Sequence, residues 1–214
     1  MTDFRITFSK TGPLVFISHL DLAHTFVRAF NRASLPLRYS EGFNPHPKLV
    51  FALPLSVGMA GENEMCDVGL KVDMDKDEFE EKIRAVMPPH ITIKSVSQAG
   101  GKFKNVESAE YLYSLPDHVG ICDDIKKFLS KDDITVTKKT KSGAEKQIDL
   151  KQKMWDVSLN EQGDTVLTLT LPAGGQDNVN PELLCDAYFA TADSYYPYII
   201  TRTAVLDADG KDFK

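Results

Sequence analysis

The sequence predicts an α+β fold built from two similar units, residues 1–100 and 101–214. In the first unit, segments with alternating apolar residues and segments with helical apolar spacing follow one another in the order β-α-β-β-α-β. That order is typical of a ferredoxin-like, split β-α-β unit. Gly100 and Gly101 mark the boundary, and the second half repeats a similar plan. We therefore expect two ferredoxin-like units packed in tandem.

The first strand and the first helix have clear local signals. Apolar and polar residues alternate over residues 4–9, which indicates a half-buried strand. Ser18 is a good N-cap, Asp21 follows three residues later, and an apolar face then begins. We therefore predict a helix over residues 19–33, which Pro36 prevents from continuing.

The rest of the first unit combines three strands with one helix. Apolar residues at alternate positions predict a core strand over residues 48–57, in which Pro54 implies an edge or a bulge. Residues 65–72 are its expected hairpin partner. A helical pattern over residues 75–86 begins with acidic residues and stops before two prolines, and residues 91–96 form the last strand.

The second unit has two predicted helices and six predicted strands. The helices cover residues 117–130 and about 181–190, and the second has Asn180 and Pro181 as its cap and first position. The strands are expected at residues 111–115, 134–137, 146–151, 154–160, 165–171 and 198–205.

Composition excludes several classes of protein. The chain has 42% hydrophobic and 26% charged residues, and no apolar run approaches the roughly 20 residues of a membrane span. We expect a soluble, cytoplasmic protein with no contact with the membrane. Cys66, Cys122 and Cys185 are far apart, and neither they nor the five histidines have metal-ligand spacing. No glycine-rich phosphate loop is present, so no cofactor is expected.

The segment from residue 38 to residue 48 is the strongest candidate for a binding loop. Two prolines stiffen it, and Gly42 permits a tight turn. We expect the loop to pack against the beginning of the first helix, with Phe43 as its apolar anchor. The polar residues that it would present are Asn44, His46 and Lys48. A purely structural turn is the other interpretation.

A stripe of polar residues follows the first helix at spacings of three and four. Its members are Asp21, His24, Arg28 and Arg32. The stripe is either a solvated helix face or a surface for phosphate groups that Arg38 and Lys48 complete from the neighbouring loop. The net charge of −6 means that any contact with nucleic acid must come from such a local basic patch. A lysine-rich hairpin around residues 138–153 has the same two interpretations.

His19 lies directly after the helix cap, on the side that faces the core. One interpretation is structural, with the ring connecting the cap to the 38–48 loop. The other pairs His19 with His46 as a general acid and base, since histidine titrates near neutral pH.

Four segments together resemble a bacterial radical SAM-linked family of unknown function. They are Ser-His-Leu-Asp at 18–21, Ser-Glu-Gly-Phe-Asn-Pro-His-Pro at 40–47, the apolar run at 51–58 and Thr-Arg-Thr-Ala at 201–204. The resemblance implies a domain that occurs alone or at the C-terminus of a radical SAM protein, often encoded near a ribonuclease of the E/G type and ribosomal proteins. The matching positions of the first two segments and the helix are Ser18, His19, Asp21, Arg28, Ser40, Gly42, Phe43, Asn44, Pro45 and Pro47.

Two hypotheses of function follow. In the first, the chain is an accessory recognition module that acts on RNA or a ribonucleoprotein together with a radical SAM enzyme, a ribonuclease or other RNA-processing machinery. The cluster-binding cysteines of a radical enzyme are absent here, so a partner would perform that chemistry. In the second, the chain is a metal-independent endoribonuclease that uses His19 or His46, by analogy with the paired ferredoxin-like domains of CRISPR repeat-processing enzymes.

Overall fold

A computed structural model describes residues 2–115, 120–139, 145–160, 165–175, 177–192 and 195–213. The first unit consists of four strands and two α-helices, and a short 3-10 turn at Gly12–Phe16 lies between its first strand and its first helix. In chain order these are β1 (Asp3–Lys10), α1 (His19–Arg32), β2 (Leu49–Phe51), β3 (Met59–Gly69), α2 (Lys76–Arg84) and β4 (Ile91–Gln98).

The second unit follows a short 3-10 turn at Phe103–Asn105. Its elements are β5 (Ser108–Leu115), α3 (Ile121–Leu129), β6 (Thr135–Lys139), β7 (Glu145–Asp149), β8 (Trp155–Asn160), β9 (Thr165–Pro172), α4 (Glu182–Phe189) and β10 (Ile199–Leu206). Each predicted element has a counterpart among the described residues, and residues 117–119 of the predicted helix 117–130 lie outside those residues. Most of the other boundaries differ from the predicted ones by only a few residues.

Both units contribute to one eight-stranded sheet. The order is β4-β1-β3-β10-β5-β9-β8, and β2 pairs with β3. In each half an antiparallel set has the ferredoxin-like arrangement, β4-β1-β3-β2 in the first and β10-β5-β9-β8 in the second. The β6-β7 hairpin is a separate addition to the second set. The prediction of an α+β fold with two ferredoxin-like units is therefore confirmed.

The units join through β3 and β10, which run parallel to each other. Ile200 lies opposite Met59, and Arg202 lies opposite Gly61. Along one edge of β3, residues 59–61 pair with β10 of the second unit, and residues 66–68 pair with β2 of the first unit. The join brings two hydrophobic cores side by side, one under each pair of helices.

The strand predicted over residues 48–57 is wrong after Phe51. The chain turns at Ala52, and Leu53 and Leu55 are buried in the core of the second unit rather than in the sheet. Pro54 has no N–H to donate to a ladder, and its carbonyl accepts a side-chain hydrogen bond instead. The next strand begins earlier than predicted, at Met59, since its first residues pair with β10.

None of the helices in the described ranges combines the length and apolar character needed to cross a membrane.

Candidate functional site

Residues 38–48 form a hairpin whose arms are held together by hydrogen bonds. The N–H of Ser40 donates to the carbonyl of His46 at 2.8 Å, and the N–H of Lys48 donates to the carbonyl of Arg38 at 2.7 Å. The hydroxyl of Ser40 also accepts from the N–H of His46 at 3.1 Å and lies 2.9 Å from Nδ1 of the same residue. These contacts fix the hairpin from within, without an apolar core of its own.

The stem of this hairpin is anchored to the end of β3, not to the beginning of α1 as we had expected. The N–H of Arg38 donates to the carbonyl of Gly69 at 2.8 Å, and the N–H of Gly69 donates to Lys48 at 2.9 Å. The side chains of Arg38 and Lys48 both form ion pairs with Asp3 at the beginning of β1. Backbone and charge contacts therefore tie the hairpin to the sheet.

The tip of the hairpin projects into solvent. Gly42 has φ of +123°, a conformation that side chains rarely adopt, and the residue after it is Phe43. The relative exposure of Phe43 is 111%, so the prediction that it anchors the loop is wrong. The stem contacts hold the loop without any packing of this ring. Asn44 and His46 are exposed beside it.

Ser18 and Asp21 form the cap of α1. The hydroxyl of Ser18 accepts from the N–H of Asp21 at 3.1 Å and donates to the carboxylate of Asp21 at 2.7 Å. The bond from Ser18 holds the pKa of Asp21 below its usual range. Both residues therefore have a structural role at the beginning of the helix, which the sequence predicted from their spacing.

The four cations of the predicted phosphate surface fall into two groups according to their partners. Arg28 is exposed on α1, and Arg32 at the end of that helix donates to the carbonyl of Val86 at 2.7 Å. Arg38 and Lys48 instead share the carboxylate of Asp3. The positive charge of the second group is thus partly offset, so Arg28 and Arg32 are the stronger candidates for phosphate contacts.

The two histidines have separate surroundings. The ring of His19 meets the ring of Phe51 edge-on, with centroids 5.0 Å apart, and its Nδ1 is buried without a partner among the described residues. Burial, followed by the positive charge of Arg202, lowers the pKa of His19, so the ring is neutral at neutral pH. His46 is exposed and bonded to Ser40 within the hairpin. These contacts give His19 the surroundings of a packing residue.

A buried ion pair joins the two units close to His19. Arg202 of β10 donates to both carboxylate oxygens of Glu64 in β3, at 2.9 and 2.5 Å, and each side chain is only 4% exposed. The same guanidinium donates to the carbonyls of Pro54 and Leu53 at 3.1 and 3.3 Å. A Cβ at Gly61 would lie 2.5 Å from the side chain of Glu64, so glycine leaves room for the pair. Arg202 therefore holds the segment after β2 onto the junction of the sheet.

An aromatic surface on the second unit was missed by the sequence analysis. The ring of Phe189 in α4 lies 4.6 Å from that of Tyr195 and 5.6 Å from that of Tyr198, and Tyr195 is 72% exposed. A cavity of about 210 Å³ lies beside it, between α3 and α4. Its lining includes Asp124, Lys127, Phe128, Lys131, Tyr188 and Tyr196. The three tyrosines at 195, 196 and 198 were the available signal for this surface.

Within the part of the chain that the structure describes, no three His, Cys, Asp or Glu side chains are grouped so that they could hold a metal ion.

The fold and these surfaces define a protein of two joined ferredoxin-like units with a braced, exposed hairpin. The chain matches the family described as "Uncharacterized protein conserved in bacteria (DUF2344)" over residues 4–181. It therefore belongs to that family. No curated protein matches the sequence.

Solved structures that match this chain include the following two. A chain from "Crystal Structure of a Cbf5-Nop10-Gar1 Complex" has 12% identity and a TM-score of 0.51, and the match covers 94% of this chain and 48% of that one. This chain thus spans about half the length of that neighbour, and at this identity the similarity shows the fold alone. "Crystal Structure of an Unknown Protein from Galdieria sulphuraria" has 13% identity, coverage of 88% for both chains and a TM-score of only 0.26, which is too low to support an argument.

Proposed function

We propose that this protein is an accessory recognition module that binds RNA or a ribonucleoprotein and acts together with a separate enzyme. The observation that carries the proposal is the braced hairpin at residues 38–48, which holds the ring of Phe43 in solvent. Proteins that bind single-stranded RNA commonly stack bases on exposed aromatic rings and contact the phosphates with nearby cations. Phe43 supplies the ring, Asn44 and His46 supply polar groups, and Arg28 and Arg32 supply the charge.

The proposed partner is a radical SAM protein or a component of the RNA-processing machinery, such as a ribonuclease. The resemblance of residues 18–21 and 40–47 to the radical SAM-linked family supports this part of the proposal. The solved neighbour supports an accessory role, since it comes from a Cbf5-Nop10-Gar1 complex and a similar fold thus occurs within an assembly of several proteins.

Reversing the charge of Arg28 and Arg32 to glutamate is expected to weaken binding to single-stranded RNA. Each phosphate contact contributes about −0.7 to the slope of log K against log salt, so losing two contacts flattens the slope by about 1.4. The measurement is fluorescence anisotropy of labelled RNA at several salt concentrations.

The matched control is the double variant Lys102→Glu and Lys104→Glu, which makes the same change in net charge at exposed positions between the units. The control is expected to keep the parent slope. Equal weakening in both double variants, or no binding by the parent at low salt, would reject the surface around Arg28 and Arg32.

The alternative function is metal-independent cleavage of RNA by His19 or His46. One observation favours it, because His46 is exposed and its Nδ1 is bonded to Ser40, an arrangement that orients a histidine ring. A pair of proton-transfer groups must also lie within reach of the same phosphate, and the ring of His19 is packed on Phe51.

We therefore expect no cleavage when the protein is incubated with total small RNA in EDTA. His19→Ala and His46→Ala are assayed beside the parent by gel electrophoresis. Cleavage by the parent that is lost in a folded variant would replace the recognition module with an endoribonuclease.

A further inference from the structure

Three aromatic side chains at and beyond the end of α4 leave one ring largely in solvent. The ring centroid of Phe189 lies 4.6 Å from that of Tyr195 and 5.6 Å from that of Tyr198, and the two tyrosine rings are 6.4 Å apart. Phe189 and Tyr198 are partly buried, whereas Tyr195 is 72% exposed. Contacts with the other two rings therefore position Tyr195 while much of its own ring stays accessible. An exposed aromatic cluster of this kind is typical of a surface that contacts another molecule.

Two carboxylates lie beside these rings. Glu182 and Asp186 are seven and three residues before Phe189, so the three side chains share one face of α4. Asp186 is exposed, and Glu182 is partly exposed. Burial raises the pKa of Tyr198 to about 12, with smaller contributions from groups that include Glu182 and Asp186, so both carboxylates lie near this tyrosine. One aromatic–acidic surface is thus formed by Glu182, Asp186, Phe189, Tyr195 and Tyr198.

Other aromatic rings of this chain are covered by one of its own cations. The ammonium of Lys71 lies 5.4 Å from the ring centroid of Tyr39, and the guanidinium of Arg5 lies 4.3 Å from that of Phe103. Among the described residues, by contrast, no lysine or arginine lies over the ring of Tyr195. The electron-rich face of a tyrosine attracts a cation, and the two carboxylates strengthen that attraction. The aromatic–acidic surface therefore has the features of a cation site whose cation must come from another molecule.

We propose that the aromatic–acidic surface binds an arginine-bearing segment of a partner protein. A guanidinium is planar, stacks on aromatic rings and pairs with a carboxylate through two parallel N–H donors. A lysine ammonium is a more strongly hydrated point charge and lacks this geometry. The ring of Tyr195 receives the flat face of one arginine, and Asp186 pairs with the same guanidinium or with that of a neighbouring arginine.

Charge distinguishes this occupant from two others. A single-stranded RNA also stacks bases on aromatic rings, but its phosphates would approach Glu182 and Asp186 with like charge. A symmetric contact between two copies of this chain would bring the carboxylates of both copies together. A basic protein segment has the complementary charge, so it is the occupant that the surface favours.

This inference rests on the proposed accessory role and states the chemistry by which the partner protein is recognised. The residues proposed for RNA contact belong to the first unit, whereas this surface belongs to the second. Binding of the partner segment therefore leaves Phe43 and Arg28 available to RNA, and the two kinds of binding are measured separately.

The experiment uses labelled peptides of equal length in which glycine alternates with arginine, with lysine or with glutamate. A labelled single-stranded RNA is the fourth probe, and all affinities are measured by fluorescence anisotropy. The arginine peptide is expected to bind the parent more tightly than the lysine peptide, because only the guanidinium both stacks and pairs bidentately. The glutamate peptide is expected not to bind.

Tyr195→Ala and Asp186→Asn are each expected to weaken binding of the arginine peptide by roughly 2- to 5-fold, the size of one exposed cation–π contact or one exposed ion pair. The double variant is expected to weaken it by about tenfold. Tyr195→Phe keeps the ring and is expected to stay within about twofold of the parent. None of these variants is expected to change RNA affinity.

Two control variants match these changes on the first unit. Phe16 is 73% exposed, so Phe16→Ala removes a ring of nearly the same exposure as Tyr195. Glu81→Gln removes one negative charge from an exposed position on α2. Both controls are expected to keep the parent affinity for the arginine peptide, and melting temperatures check that every variant is folded.

The possible outcomes separate this inference from the recognition of RNA. Weaker peptide binding confined to the Tyr195→Ala and Asp186→Asn variants supports the surface, even where the parent fails to bind RNA. Absence of peptide binding by the parent, or equal weakening by Glu81→Gln, overturns the surface and leaves the RNA proposal standing. A Tyr195→Ala variant that loses RNA affinity, or that dissociates a dimer seen by analytical ultracentrifugation, also overturns it, since the occupant would then be RNA or a second copy.

Discussion

Replacing Arg202 by alanine is expected to lower the free energy of unfolding by about 3–5 kcal/mol, the usual cost of removing one partner from a buried ion pair. The change leaves the carboxylate of Glu64, at 4% exposure, without the two guanidinium hydrogen bonds it accepts. It also removes the donors from the carbonyls of Leu53 and Pro54. The loss is measured by urea denaturation followed by circular dichroism.

Two controls separate the buried pair from a general effect of removing charge. Lys82→Ala breaks an exposed pair with Glu78 on α2 and is expected to cost less than about 1 kcal/mol. The double variant Arg202→Met and Glu64→Leu removes both charges of this pair. It is expected to recover only part of the stability lost by Arg202→Ala, because the buried Lys10 then loses the attraction of Glu64. A loss below about 1 kcal/mol for Arg202→Ala would show that the pair does not hold the junction of the units.

The elements that the sequence predicted well are those with local causes. Ser18 accepts a hydrogen bond from the N–H three residues later, so the beginning of α1 is encoded within four residues. Alternating apolar residues likewise located β1 and β4 to within a few residues. The order of these elements along the chain predicted the ferredoxin-like arrangement of each unit.

The features that the sequence did not predict depend on contacts between distant segments. Glu64 and Arg202 are 138 residues apart, and neither has a neighbour in sequence that indicates a partner. The parallel pairing of β3 with β10 is equally non-local. Leu53 and Leu55 have the spacing of a strand, but each is buried in the core of the other unit, which a periodic pattern cannot distinguish from a sheet position.

In the candidate site too, features with local causes were predicted and features that depend on the surrounding structure were not. Its prolines and glycine predicted a stiff 38–48 loop, and hydrogen bonds between the two arms brace the hairpin. The direction of Phe43 did not follow, because an aromatic residue in a loop pattern fits an inward anchor and an outward contact equally well. Exposure is decided by whether the stem already closes the loop, and here Ser40, His46 and the carbonyl of Gly69 close it.

Replacing phenylalanine by alanine at two positions of the first unit is therefore expected to have very different effects on stability. Phe26→Ala removes a fully buried ring that packs against Phe8, Phe30 and Phe51, with centroids 4.7 to 5.8 Å away. It is expected to cost about 3–5 kcal/mol of unfolding free energy. Phe43→Ala removes an exposed ring and is expected to change stability by no more than about 0.5 kcal/mol.

For RNA binding we expect Phe43→Ala to have the large effect, because the exposed ring contributes free energy only when a base stacks on it. Stacking of one base on an aromatic side chain contributes about 1–3 kcal/mol, so Phe43→Ala is expected to weaken RNA affinity by roughly 5- to 150-fold. Denaturation and anisotropy measurements on the same preparation give both quantities. A clear loss of stability in Phe43→Ala would mean that the hairpin packs against the protein in solution. Unchanged stability with unchanged RNA affinity would leave the exposed ring without the proposed role, since a residue that neither supports the fold nor contacts the ligand cannot carry recognition.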